Sequence, residues 1–285
     1  MSIFNRNNDL LSNYKSGINF FQDPFPHIII ENCLSTKIYN QMRLSYPESN
    51  VFKDLASRKG NLSSIKFLDM INSKKSSNID PIFFDFFGYH TSHEFLFELI
   101  KIFNAEINEK TITYKEIYEA SKFKNFEDFK KFSQTNIITK NTPSININHS
   151  PLNNDLIRGA HLDRSKNILG ALFYFKDDTD NDNGGDLELY SWKNKSDFYK
   201  KFYFSDPIAL KYVNLVKTIR YDKNKIVFFL NSINALHLVT SRKINSPIRK
   251  YAYLSIDTKN TDVVKKANIF TWISRKIVKL LRVFC

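Results

Sequence analysis

The sequence predicts an α+β protein in which helical segments precede a jelly roll or barrel of short strands. Up to about residue 136, apolar residues recur with helical spacing. Beyond Ile137 the pattern changes to alternation and short β-branched runs separated by turn residues, which is typical of two packed antiparallel sheets. We therefore expect an N-terminal strand and helix region at 1–136 that packs on the core, a β core at 137–258 and a tail at 259–285.

The N-terminal region is predicted to contain a strand, a helix, a loop and further helices. The β-branched run within 24–32 indicates the strand, and the amphipathic segment 35–46 indicates the first helix, with Ser35 or Thr36 as its N-cap. Residues 50–80 are rich in Ser, Asn and Lys and suggest a long surface loop. A capping signal and helical apolar spacing predict a helix over 91–103, and 115–134 contains two shorter candidates.

The β core is predicted to contain many short strands. The candidates are 144–149, 155–161, 167–176, 186–191, 208–213, 216–220, 225–230, 236–240 and 249–256. The sharpest turn between them, 177–185, is rich in Asp, but Thr179 stands where an EF-hand requires its first Asp. No nucleotide-binding βαβ pattern surrounds the Asp-x-Asp sequence either, so we interpret the turn as a solvated hairpin.

Composition indicates a packed protein of the cytoplasm. Of the 285 residues, 42% are hydrophobic, which suffices for a substantial core. The first residues are polar, and no run of about 18 apolar residues occurs, so neither export nor a membrane span is expected. The two cysteines, Cys33 and Cys285, indicate no disulfide framework.

The net charge of +13 is concentrated in the C-terminal tail, since eleven Lys and Arg stand against two Asp from residue 242 onward. Residues 265–284 place apolar side chains on one helical stripe and basic ones elsewhere, which predicts a basic amphipathic helix. Such a helix binds an anionic membrane surface or an acidic polymer, or docks on the body of the protein. The sequence contains no nucleic-acid-binding motif.

The strongest chemical signal is a pair of ligands two residues apart. His161 and Asp163 end a predicted strand, and side chains at this spacing lie on the same side of a strand. His237, within a later apolar run, supplies a second imidazole. Two His and one carboxylate leave coordination positions open, which is the arrangement of non-haem Fe(II) sites. His90 and His93 are also three residues apart, but no third ligand is near them, and we assign them to capping or packing.

An arginine completes the pattern. Arg249 follows His237 by 12 residues, at the start of another predicted strand, and its planar guanidinium suits a carboxylate ligand. Lys250 is the rival, because a shift of one residue in register exchanges the two faces of a strand. Arg158 faces away from His161 on an ideal strand, so we place it at the rim of the site or in an ion pair.

Over about residues 140–257 the sequence resembles the Fe(II)- and 2-oxoglutarate-dependent oxygenases, specifically the prolyl 4-hydroxylase-like branch. The resemblance rests on the His-x-Asp strand, Leu172-Phe173-Tyr174, Gly184-Gly185-Asp186-Leu187, Asn231-Ser232 before His237, and Arg249. It implies a double-stranded β-helix, iron ligands at His161, Asp163 and His237, and Arg249 and Tyr174 as partners of the distal carboxylate of 2-oxoglutarate.

The activity implied by the resemblance is hydroxylation of a C–H bond with O2, Fe(II) and 2-oxoglutarate, with ascorbate as a further requirement in some such enzymes. The substrate is a protein side chain such as proline, or a small or glycan-linked molecule. Two alternatives remain open at this point. The first is a non-catalytic cupin-like binding module, and the second is a nucleic-acid oxygenase or demethylase suggested by the basic charge.

Overall fold

The computed structural model of the protein describes residues 19–59, 61–73, 77–103, 119–139, 143–149, 158–164, 166–194, 208–243 and 246–259. The helices are α1 (Thr36–Leu44), α2 (Ser49–Leu55), α3 (Phe67–Asn72), α4 (Pro81–His90), α5 (His93–Phe103) and α6 (Phe126–Asn136). The strands of the first half are β1 (Asn19–Phe21), β2 (His27–Glu31), β3 (Ser57–Lys59), β4 (Leu62–Lys66) and β5 (Ile137–Ile138). The strands of the second half are β6 (Ser144–Asn148), β7 (Arg158–His161), β8 (Asn167–Tyr174), β9 (Leu187–Trp192), β10 (Val213–Ile219), β11 (Lys225–Leu230), β12 (Leu236–Val239) and β13 (Arg249–Thr258).

The strands form two antiparallel sheets. The larger sheet has the order β1-β2-β11-β8-β13-β6-β4-β3, with β5 also paired to β13, and the smaller has the order β10-β9-β12-β7. From β6 to β13 the chain passes between the sheets so that β6, β8, β11 and β13 lie together in one and β7, β9, β10 and β12 in the other. This strand order is that of a double-stranded β-helix, so the predicted fold is confirmed.

The N-terminal region contributes strands to the larger sheet. β2 pairs with β11 on one side, and β4 pairs with β6 on the other, so the eight-stranded core is widened at both edges. The prediction of a surface loop over 50–80 is wrong, because this stretch contains α2, β3, β4 and α3. Ile65 and Met70 are fully buried within it. The polar residues around them gave the segment the composition of a surface loop.

Two packing layers bury the central strand β8 on both faces. Ala171 and Phe173 belong to the apolar cluster between the larger sheet and the helices, whereas Leu172 and Tyr174 belong to the cluster between the two sheets. The alternation of a strand explains this division, and it leaves all eight residues of β8 buried. By the same alternation, successive side chains of β13 point in turn toward the helices and toward the smaller sheet.

One pair of predicted strands is a single strand in the structure. Leu210–Tyr212 form a 3₁₀ turn, and β10 then runs without interruption from Val213 to Ile219, so separate strands at 208–213 and 216–220 are wrong. β10 is an edge strand of the smaller sheet, and its register with β9 shifts between Leu215 and Lys217. Leu215 and Val216 are both exposed. The strand therefore lacks the alternation of apolar and polar residues by which it could have been recognised in the sequence.

The predicted helices over 35–46 and 91–103 are present as α1 and α5, and Ser35 caps α1 by accepting a hydrogen bond from the Ile38 amide. No helix in the described part of the chain is long and apolar enough to cross a membrane. The predicted C-terminal amphipathic helix at 265–284 lies outside the described residues.

Candidate metal centre

Two strands of the smaller sheet bring the predicted metal ligands together. β7 ends at His161, the chain continues through Asp163, and β12 carries His237 directly opposite His161 in the antiparallel register. The His161 and His237 rings lie 4.3 Å apart between their centroids. The pairing of these two strands thus brings together two histidines that are 76 residues apart in the sequence.

The three side chains could hold one metal ion. His161 Nε2 lies 3.8 Å and His237 Nε2 3.7 Å from Asp163 Oδ1, and one ligand atom from each residue lies within 4.8 Å of the others. Two ligand atoms each about 2.1 Å from an ion lie up to about 4 Å apart, so small adjustments would bring all three into coordination. All three residues are buried, and they were the residues that sequence spacing indicated.

Backbone carbonyls set the tautomer of both imidazoles. His161 Nδ1 lies 2.7 Å from the Gly159 carbonyl oxygen, and His237 Nδ1 lies 2.9 Å from that of Ala235. A carbonyl only accepts, so each Nδ1 carries the proton and donates it. Each Nε2 therefore presents a lone pair, which is the state that a metal ion requires.

A glycine makes room for the carboxylate. A Cβ added at Gly170 would lie 3.2 Å from Asp163 Oδ2 and 2.8 Å from the Phe229 ring. The Phe229 ring in turn packs against His237, with 4.9 Å between ring centroids. This role could not be predicted from the sequence, because Gly170 stands within an otherwise continuous apolar strand.

Arg249 points into the space between the sheets, and Lys250 does not. Arg249 is only 1% exposed, and its Nε donates to the Gly185 carbonyl oxygen at 2.8 Å while Nη1 donates to Asn148 Oδ1 at 3.1 Å. The Lys250 ammonium instead pairs with Asp177 at 2.8 Å. The structure therefore has the register in which Arg249 faces inward.

Three tyrosine rings surround the Arg249 guanidinium and form an aromatic cage. Its Cζ lies 5.1 Å, 5.2 Å and 4.5 Å from the ring centroids of Tyr174, Tyr221 and Tyr251. Stacking of this kind stabilises a desolvated cation. Sequence reasoning missed Tyr221 and Asn148. The alternation of Asn146 and Asn148 with Ile in β6 could have indicated that these two amides share one face of the strand.

The cage fits a carboxylate. Among the described residues, Arg249 forms no ion pair, and Arg249 Nη2 and the Tyr174 hydroxyl are buried without a hydrogen-bond partner. Burial raises the pKa of Tyr174 to about 12 against the opposing effect of Arg249, so its hydroxyl keeps its proton at neutral pH. A buried cation and a buried hydroxyl donor are both satisfied by one carboxylate group.

The acidic turn is held by a buried ion pair, so its interpretation as a purely solvated hairpin is wrong. Asp180 Oδ1 accepts from Arg242 Nη2 at 2.7 Å, with both side chains almost fully buried. The pair lies beside the cage, because a Cβ added at Gly185 would be 3.2 Å from Arg242 Cδ and 3.0 Å from Arg249 Cδ. Gly185 also has a φ of +76°, which glycine adopts readily.

The remaining predicted polar residues have other positions. His90 Nδ1 lies 2.6 Å from the Phe86 carbonyl oxygen, and His93 Nδ1 lies 2.8 Å from the Ser133 hydroxyl, which agrees with packing roles. The side chain of Arg158 lies outside the described part of the structure.

Comparisons with known proteins gave matches at the level of structure only. No protein-family model matches the chain, and no curated protein sequence matches it. The solved structures to which the chain is similar include prolyl hydroxylases and non-haem enzymes that depend on 2-oxoglutarate.

Three of these structures illustrate the range. A prolyl hydroxylase from Trichoplax adhaerens, in complex with a peptide of the hypoxia-inducible factor, is 12% identical, with 88% of each chain covered and a TM-score of 0.41. A prolyl 4-hydroxylase from Pseudomonas putida is 9% identical, with 88% of this chain and 97% of that chain covered and a TM-score of 0.41. The α-ketoglutarate-dependent epimerase SnoN of nogalamycin biosynthesis is 8% identical, with 86% and 83% covered and a TM-score of 0.44.

Proposed function

We propose that the protein is an Fe(II)- and 2-oxoglutarate-dependent dioxygenase that hydroxylates a C–H bond, releasing succinate and CO2. The observation that carries this proposal is the pairing of two sites on the inner faces of the sheets. His161, Asp163 and His237 are buried side by side and could hold one metal ion, and Arg249 is a buried cation without an acidic partner among the described residues. A metal site alone, or an arginine alone, would support a much wider range of functions.

The chain's first contribution is to hold the metal. His161 and His237 offer Nε2 lone pairs fixed by their carbonyl contacts, and Asp163 supplies one negative charge. With iron, 2-oxoglutarate and O2 bound, the chemistry supplied is oxidative decarboxylation of the keto acid coupled to insertion of one oxygen atom into a C–H bond. Three protein ligands leave the positions that a bidentate co-substrate and O2 require.

The chain's second contribution is to bind the far end of the co-substrate. The Arg249 guanidinium and the Tyr174 hydroxyl would donate to the distal carboxylate of 2-oxoglutarate, since each has a buried polar atom without a hydrogen-bond partner in the described part of the chain. The aromatic cage keeps water from this carboxylate and strengthens the charge-assisted hydrogen bonds. This role distinguishes 2-oxoglutarate from keto acids that lack a second carboxylate.

The chain's third contribution is an apolar lining. Leu187, Leu189, Val227, Phe229 and Ala235 are buried between the two sheets. An apolar lining limits the access of water to the reacting atoms and so limits side reactions. The substrate class that we propose is the one expected from the sequence, namely a protein side chain such as proline, or a small or glycan-linked molecule.

The proposal is tested by measuring succinate formed from 2-oxoglutarate with Fe(II), ascorbate and O2. We expect slow uncoupled turnover by the wild-type protein and loss of turnover in Asp163→Ala. The control is Glu31→Ala, which removes a carboxylate from a side chain that is 64% exposed. Binding of 2-oxoglutarate without any succinate would favour the non-catalytic binding module, and the absence of both binding and turnover would contradict the proposal.

A further inference from the structure

A tyrosine on β13 contacts the carboxylate of the candidate metal centre. Tyr253 donates its hydroxyl proton to Asp163 Oδ2 at 3.2 Å, and the Asn167 side-chain amide donates to the Tyr253 oxygen at 2.8 Å. We propose that Tyr253, supported by Asn167 and Asn231, is a positioning residue that holds Asp163 as a one-oxygen metal ligand and sets the metal affinity. This inference rests on the proposed metal centre.

Strand alternation places Tyr253 on the correct face. Arg249 and Tyr253 are four residues apart on β13, so both side chains point into the space between the sheets. Tyr253 lies opposite Leu172 of β8, which belongs to the same inner cluster. One strand thus provides both the arginine of the aromatic cage and the hydroxyl at the metal centre.

The direction of the hydrogen bonds follows from the chemistry of the groups. A metal-binding carboxylate carries no proton and only accepts, so the hydroxyl of Tyr253 must donate to Asp163. The hydroxyl oxygen is then free to accept, and the amide nitrogen of Asn167 is its donor. The two bonds reinforce each other because each polarises the hydroxyl in the same direction.

Asn231 holds Asn167 in position through hydrogen bonds to the backbone. Asn231 Nδ2 donates to the carbonyl oxygens of Asn167, at 2.8 Å, and Arg164, at 3.1 Å. The backbone N–H of Asn167 also donates to the Arg164 carbonyl oxygen, at 2.9 Å. Asn167 and Asn231 are fully buried, so these bonds are shielded from solvent.

The two oxygens of Asp163 consequently have different partners. Oδ1 lies 3.8 Å and 3.7 Å from the Nε2 atoms of His161 and His237, whereas Oδ2 faces the Tyr253 hydroxyl. The absence of a Cβ at Gly170 leaves Oδ2 the space to do so. A carboxylate held in this way binds a metal through one oxygen and keeps an additional coordination position open.

The test measures metal binding by the purified apoprotein, without turnover. Titration with Co(II) or Mn(II) should give a dissociation constant about 10- to 100-fold higher for Tyr253→Phe than for wild type, as found when partners of metal ligands are removed. The visible spectrum of the Co(II) form should change as well, because the carboxylate gains freedom to bind through both oxygens. Asn167→Ala, which leaves the hydroxyl in place, should weaken binding in the same direction by a smaller factor.

The matched control is Tyr39→Phe, which removes a buried tyrosine hydroxyl that donates to the Lys176 carbonyl oxygen at 3.3 Å, outside the metal centre. It should leave the metal affinity and the Co(II) spectrum unchanged. Wild-type affinity and spectrum in Tyr253→Phe would overturn this inference while leaving the proposed function intact. Failure of the wild-type protein to bind either metal would overturn both.

Discussion

Arg249 and Lys250 are neighbours on β13 whose side chains have opposite environments. Arg249 lies in the aromatic cage between the sheets, and Lys250 forms an ion pair with Asp177 on the other side. This difference decides which of the two cations can reach a bound co-substrate. It also provides a matched pair of substitutions one residue apart.

Replacement of Arg249 by Ala should raise the dissociation constant for 2-oxoglutarate by about 100-fold or more, because the only cation that faces the distal carboxylate among the described residues, and its charge-assisted hydrogen bonding in a buried site, are lost. Lys250→Ala should leave that constant within about threefold of wild type. Isothermal titration with 2-oxoglutarate in the presence of Mn(II) measures both. A larger effect of Lys250→Ala would contradict the assigned register.

Replacement of Gly170 by Ala should destabilise the protein by about 1–3 kcal/mol and weaken metal binding. The added methyl group would be 2.8 Å from the Phe229 ring and 3.2 Å from Asp163 Oδ2, so both must move. Urea unfolding and Co(II) titration measure the two effects.

Gly88→Ala is the control for this substitution, since outside the backbone of its own helix no atom of the described residues lies within 4 Å of the added Cβ, and Gly88 is in α4. It should leave metal affinity unchanged and stabilise the helix by up to about 1 kcal/mol. Equal metal affinities in the two alanine variants would show that Gly170 does not make room for Asp163.

Breaking the ion pair of Asp180 with Arg242 should be costly. Asp180→Asn leaves a buried guanidinium without its counter-charge, and we expect a loss of about 3–5 kcal/mol in the free energy of unfolding. Asp178→Asn removes a half-exposed carboxylate from the same turn, and the loss there should be within about 1 kcal/mol. Similar losses in the two variants, measured by urea unfolding, would contradict the anchoring role of Asp180.

Two buried histidines should make the fold sensitive to acid. Burial lowers the pKa of His27 to about 4 and that of His90 to about 3, from an ordinary value of 6.5. The unfolded chain therefore takes up protons near pH 6.5 that the folded chain does not. The free energy of unfolding should be fully developed above pH 6.5 and fall steadily as the pH is lowered towards 4 and then 3.

Urea unfolding at pH 7 and pH 5 measures this dependence. His90→Phe should reduce the difference between the two pH values, because one of the two histidines is removed while an aromatic ring remains among its aromatic neighbours Phe86 and Phe95. An unchanged difference would mean that His90 is not among the responsible groups.

The candidate metal-ligand cluster was predictable from the sequence because it depends on local spacing. A His and an Asp two residues apart at a strand end share a side by geometry alone, and the order of His237 and Arg249 along the chain completed the pattern. The β-rich half was predictable for a similar reason, since alternation is a local property. The choice between Arg249 and Lys250 was not, because register depends on pairing with β6.

The parts that were missed depend on distant partners. Asp180 is buried because Arg242 lies against it, 62 residues later in the chain. β4 was hidden because Ser64 pairs with Asn146 of β6, which makes a polar segment part of a sheet. Tyr253 had no motif of its own, and only its position four residues after an inward-facing arginine indicated its direction.

We propose that the protein splits 2-oxoglutarate with O2 at the site formed by His161, Asp163 and His237. The most direct measurement is the mass of succinate formed under ¹⁸O2 by the iron-loaded protein. We predict succinate that carries one ¹⁸O atom, and its loss in Asp163→Ala. Unlabelled succinate, or labelled succinate formed equally by Asp163→Ala, would contradict it.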